Sequence, residues 1–94
     1  MTSGTAIKSA DGVVGTSGKP IRVFAVNIVS GGTAGVLVLR NGTSASDPVY
    51  LQVTGTVSVG VVFDIHDGMF FPDGCFYDHD ANLSHVAITY SVER

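Results

Sequence analysis

The chain has 94 residues and a formal net charge of −3, with 14% charged residues against 45% hydrophobic ones, where globular proteins average about 25% charged. This is the opposite of a disordered composition, and the five cations (Lys8, Lys19, Arg22, Arg40, Arg94) stand singly, with no basic stripe to neutralise phosphates, which argues against nucleic-acid binding. No apolar run reaches the ~18 residues of a membrane helix, and "MTSGTAIKSADG" at the N-terminus lacks the charged and apolar regions of a signal peptide.

Strand signals dominate in chain order. Runs rich in Val, Ile, Thr, Phe and Tyr, bounded by Gly, Asn, Asp and Pro, predict strands near 5–9, 20–29, 34–40, 48–54, 57–65, 69–71, 74–80 and 85–92. Helical spacing is absent, and no connection is long enough for a crossover helix between parallel strands. The expected fold is therefore all-β: a compact antiparallel β-sandwich or small jelly-roll-like barrel of seven or eight short strands, one domain over 1–94. Residues 1–18 are expected either as an ordinary first strand between turns or as an arm that adds to a neighbouring subunit. Gly31-Gly32, Asn41-Gly42, Asp67-Gly68 and Asp73-Gly74 mark turns, and "NGTSASDP" (41–48) reads as the longest polar loop.

Strict alternation sorts the strand 20–29 into two sets. Ile21, Val23, Ala25, Asn27 and Val29 oppose Arg22, Phe24, Val26 and Ile28, so both faces are largely apolar. Leu37 and Leu39 oppose Val36 and Val38 in the same way. Two apolar faces exceed what a two-layer fold of this size covers, which favours burial against another copy or another protein. Strand 85–92 is conventional, with Val86, Ile88, Tyr90 and Val92 on one side and Ala87, Thr89, Ser91 and Glu93 on the other.

The one stretch resembling a chemical site is "FYDHDANLSH" (76–85). Asp78, Asp80 and Asn82 have the opening spacing of a calcium loop, but the glycine at its sixth position, the closing bidentate Glu and the flanking helices are missing. A looser site from Asp64, His66, Asp67, Asp78, His79, Asp80 and His85 is the weaker alternative, because alternation puts Cys75, Tyr77 and His79 on one face and Phe76, Asp78 and Asp80 on the other. Cys75 in "FPDGCFY" reads as a small buried hydrophobe and, being single, forms no intramolecular disulfide and fits a reducing cytoplasm. The serines lack a strand-to-helix elbow, and the glycine clusters precede no helix. The expectation is a non-enzyme without cofactor or metal site.

The wording of two segments, "VFAVNIVSGGTAGVLVLRNG" (23–42) and "FPDGCFYDHDA" (71–81), resembles a class of very small virion structural proteins of tailed bacteriophages, especially aquatic ones. The likeness extends over about residues 18–92 and rests on strand and turn wording, with His79 standing where the pattern favours an apolar residue. The resemblance implies a β-sandwich assembled on the virion in the bacterial host cytoplasm. It further implies a capsid cement or decoration subunit, or a neck or tail component, acting as a homo-oligomer with a trimer favoured. Its partners would be itself and the major capsid protein or another virion protein, with no nucleic acid and no membrane. The candidate interface is Phe24, Val26, Ile28, Leu37, Leu39, Phe70, Phe76 and His79. The alternative function is a tail- or fibre-associated adhesin domain for host glycan.

Overall fold

The computed structural model describes residues 2–93, and the side chains of residues 4–93. Its elements are β1 (Thr2–Ile7), β2 (Gly12–Val14), β3 (Ile21–Ser30), β4 (Val36–Asn41), β5 (Val49–Thr54), β6 (Gly60–Phe71), β7 (Cys75–Asp78) and β8 (Leu83–Val92). They form two four-stranded antiparallel sheets, ordered β1-β8-β3-β6 and β2-β7-β4-β5. The pairings nest: β1 with β8, β2 with β7, β3 with β6, and β4 with β5. A long hairpin, β1 to β4 out and β5 to β8 back, is thus wrapped so that its successive nested pairs alternate between the two sheets. This strand order is that of an eight-stranded jelly roll, and the expected all-β sandwich is what the chain forms.

Four elements differ from the sequence reading. The three residues Gly12–Val14 form an additional short strand on β7. Within the 1–18 segment, β1 lies along the chain's own β8, from Thr2 opposite Val92 to Ile7 opposite Ala87, while Met1 lies outside the described residues. The runs 57–65 and 69–71 join into one strand, β6. Asp67-Gly68, expected as a hairpin turn, is instead an excursion within β6, with Asp67 at φ 66° and Gly68 at φ 80°. Opposite β3, residues 65–68 fall between the Ala25↔Asp64 and Val23↔Met69 pairs.

The fourth difference corrects the two-faced reading of β3. Val23 pairs with Tyr90 and Ala25 with Thr89, leaving Phe24 as an extra residue, a β-bulge. The bulge shifts the alternation by one. Ile21 and Val23 before it, and Val26, Ile28 and Ser30 after it, all point into the core, at 2% exposure or less. Arg22, Phe24, Ala25, Asn27 and Val29 are left outside. The strand is therefore amphipathic in two halves, and its apparent second apolar face is the first face counted across the bulge. Sheet two supplies Leu37, Leu39, Leu51, Tyr77 and Val14 to the same core.

Polar groups fix the loops. Asn41, buried at the end of β4, donates from Nδ2 to Asp73 Oδ2 (3.0 Å) and accepts at Oδ1 from the Asp73 amide (2.9 Å). The 43–47 turn closes on Asp47, whose Oδ2 accepts from the amides of Thr43 and Ser44 at 2.8 and 2.9 Å. These bonds, with the Ser44 hydroxyl, hold the Asp47 carboxyl below its usual range.

Candidate interaction surface

The 76–85 segment is the end of β7, a turn at Ala81-Asn82 and the start of β8. Asp78, Asp80, Tyr77, His79 and Ser84 in it already have structural partners. Asp78 Oδ2 accepts from Arg40 Nε and lies 3.0 Å from Nη2, an ion pair on the outer face of sheet two. Asp80 accepts through Oδ1 from the Asn82 amide and through Oδ2 from the Val36 amide, both at 2.9 Å. It thereby ties the β7–β8 turn to the start of β4. Those two amides hold the Asp80 carboxyl below its usual range. His79 is not hydrogen-bonded to either aspartate's carboxylate: its Nδ1 is 2.9 Å from the Tyr77 hydroxyl, and its amide donates to Asp11 Oδ1. Over Cys75–Asp78 the division of faces read from alternation holds, because no bulge interrupts the register; His79 and Asp80 lie past the end of β7.

Among the described residues, no three His, Cys, Asp or Glu side chains converge as metal ligands. His66 and Asp67 lie 3.7 Å apart on the β6 excursion, almost fully exposed. Such an exposed pair contributes little. Cys75 is fully buried, and desolvation pushes its thiol up to about 12, so it is neither a thiolate nor reachable at neutral pH. Burial likewise raises the Tyr77 phenol to about 12.

The eight candidate interface residues separate into two groups. Val26, Ile28, Leu37 and Leu39 are in the core at 0–1% exposure, and Phe76 is 9% exposed. These five are occupied by the chain's own packing; for Val26 and Ile28 the β3 bulge is the reason. His79 is half-buried against Tyr77. Phe24 and Phe70 are on the surface, at 37% and 42%, with the Arg22 guanidinium 5.1 Å from the Phe70 ring centre. Arg22 is itself held by Glu93 at 3.1 Å.

The exposed apolar surface is placed elsewhere than alternation suggested. The large hydrophobic side chains on the surface, among the described residues, are Ile7, Phe24, Val49, Tyr50, Val57, Val59, Val62, Phe63 and Phe70. All except Ile7 belong to β5, β6, the connection between them or the β3 bulge beside β6. β5 and β6 are the outer strands of the two sheets on the same side of the sandwich, and the Tyr50 and Phe71 rings meet across it at 5.5 Å. Tyr50 is an extra residue in its strand, since Leu39 pairs with Leu51 and Arg40 with Val49. Sequence reasoning placed Val62 and Phe63 in a strand but had no means of recognising it as an edge. The missing signal was topological. Pairing assigns Phe63 to the inward side opposite Val26, yet it is 41% exposed because the core is open along this edge.

In the β6 edge, Asp64 is the one ionisable group in Gly60–Ile65. The chain thus presents an apolar, charge-poor side built from two strand edges. Comparison with known proteins finds no matching family model, no matching curated protein and no matching solved structure.

Proposed function

We propose that the chain is a non-enzymatic structural protein of a bacteriophage virion, a capsid cement or decoration subunit that acts as a homo-oligomer and binds the major capsid protein or another virion protein. The observation that carries the structural role is the concentration of exposed apolar side chains on the β5–β6 side, from Val49 and Tyr50 to Phe63 and Phe70. A monomer gains nothing from such a patch, whereas an interface gains apolar burial at low side-chain entropy cost. The polar residues support the same reading, since Asp47, Asp73, Asp78 and Asp80 are engaged in holding loops and strands together. The assignment to a virion rests on the resemblance of residues 23–42 and 71–81, and jelly rolls recur among viral capsid domains, a fold-level analogy.

The test is co-sedimentation of the purified protein with shells assembled from the major capsid protein encoded alongside it, together with its mass in solution. Saturable binding and a mass above 9.7 kDa are expected; a strict monomer that ignores the shells refutes the proposal. The adhesin alternative draws less support. The carboxylates it would present to sugar hydroxyls, Asp78 and Asp80, are engaged by Arg40 and by backbone amides.

A further inference from the structure

We propose that β6 pairs antiparallel with β6 of a second copy about a two-fold axis at Val62, joining sheet one of each copy into a continuous eight-stranded sheet. This rests on the reading above that the chain assembles with itself, and it names the edge and the register.

The four outer strands are unequal as templates. β2 has three residues, too few for a ladder. β5 is preceded by Pro48, which has no amide hydrogen, and is broken by the Tyr50 bulge. β1 runs directly into Lys8, whose ammonium reaches the Val13 carbonyl at 3.3 Å. In β6 the residues Gly60–Asp64 pair with β3 without interruption, from Val29↔Gly60 to Ala25↔Asp64, and contain no Pro, Lys or Arg. A regular, apolar, unguarded edge is the kind that monomeric proteins avoid.

Symmetry then restricts the register, and exposure and charge spacing select within it. Residues opposite one another in an antiparallel pair share a face, so the axis passes through a residue rather than between two. An axis at Val62 puts Val62 opposite Val62 on the outer face and Val61 opposite Phe63 on the inner face. Gly60 lies opposite Asp64, and Val59 opposite Ile65. The most exposed apolar side chain of the strand, Val62 at 64%, is covered by its own copy, and Phe63 at 41% closes the open seam of the core against Val61. Asp64, the single charge, faces a residue with no side chain, and the two Asp64 carboxylates are four residues apart along the ladder, ~13 Å at ~3.3 Å per residue. An axis at Phe63 instead leaves them two residues apart, ~7 Å, where like charges repel more strongly. The excursion at Asp67-Gly68, with both residues at positive φ, turns the backbone away and ends the ladder after Ile65. The contact is isologous and closes, so it gives dimers or, combined with a three-fold contact through another face, hexamers rather than fibres.

The experiment uses the full chain with Val62→Cys, Val62→Lys and Val62→Glu, and with Ile7→Lys on the opposite edge as a control. Light scattering is expected to give the wild type and Ile7→Lys an even multiple of 9.7 kDa. Val62→Lys and Val62→Glu alone should lose half that mass or more, and mixing the two should restore it, because the substituted positions face each other. Mild oxidation should link Val62→Cys into dimers on a non-reducing gel, with Cys75 buried and unreactive. A cooperative urea transition for Val62→Lys, at or below the midpoint of the still-assembled Ile7→Lys, establishes that the former is folded; if Val62→Lys is unfolded, the Val62→Cys cross-link decides. A wild type that is monomeric, or a trimer near three times 9.7 kDa whose Val62→Cys form fails to cross-link, overturns the proposal. Shell binding is read separately. A Val62→Lys protein that keeps the wild-type mass while the wild type still assembles and binds shells removes this inference and leaves the structural role standing.

Discussion

Deleting one residue from a central strand normally turns half of its side chains to the wrong face. Deletion of Phe24 is expected to be mild, because Phe24 is the residue by which β3 exceeds its partner β8. Without it, Val23 in, Ala25 out and Val26 in form a regular alternation, and the pairs Val23↔Tyr90, Ala25↔Thr89 and Val26↔Ile88 all survive. The loss is the burial of Phe24 itself. At 37% exposure about two-thirds of its side chain is covered, in part by lying on Gly68, so the cost is about 1–2 kcal/mol from the ~1.5–3 of a fully buried Phe. Deletion of Asn27, three residues away, has no such escape. In its least costly rearrangement the bulge is used up and Val26 turns outward while Ala25 takes its place inside. That costs about 3–5 kcal/mol in lost burial and cavity. Urea unfolding followed by circular dichroism measures both, and with a slope of ~1 kcal/mol/M the midpoint of the Phe24 deletion should fall by about 1–2 M. A Phe24 deletion that shows no cooperative transition, or that costs as much as deletion of Asn27, refutes the argument that the bulge reconciles the two halves of β3.

Gly42→Ala is expected to cost about 2 kcal/mol or more in the same urea assay, since Gly42 sits at φ +144° and an added Cβ meets the Asp47 side chain, with Cγ at 2.4 Å. Acid should destabilise the protein by a defined route. Asp47, Asp80 and Glu93 all have folded-state values held below the ordinary ones, so the stability they contribute is present above pH ~5 and is lost as pH falls through ~4 and below. A urea midpoint that stays flat down to pH 3 contradicts this, and Asp80→Asn should flatten part of the slope. Cys75 should resist a thiol reagent at pH 8 in the native state and react at the rate of unfolding, which stopped-flow labelling against urea-jump kinetics checks.

Composition and turn chemistry carried the fold class, because Val, Ile and Thr runs between Gly, Asn and Asp pairs permit little else in a chain without helical spacing. The facing of Cys75 and Tyr77 into the core and of Asp78 outward was also legible, since strand alternation decides it wherever the register is unbroken. What alternation cannot register is an extra residue. Phe24 shifted the faces of β3 and made one apolar face look like two. The 65–68 excursion made one strand look like two, because Asp-Gly suits a bulge at positive φ as well as a hairpin. The position of the exposed patch was not legible either. Val62 and Phe63 form a surface because β6 happens to be last in its sheet, a property of strand order that no local pattern of residues encodes.

The nested pairing has a kinetic consequence. β4 and β5 are consecutive strands joined by the 42–48 loop and meet first at the smallest entropic cost of the four nested pairs, whereas Thr2 finds Val92 only after the whole chain has been folded between them. Closure therefore runs from the β4–β5 hairpin outward, and β1 is the last strand to dock and the first to leave. While β1 is away, β8 has a vacant side. During synthesis the interval is real, since β1 emerges first and waits for β8, so its docking onto a neighbouring molecule's β8 is in competition with its own until the C-terminal strand is made.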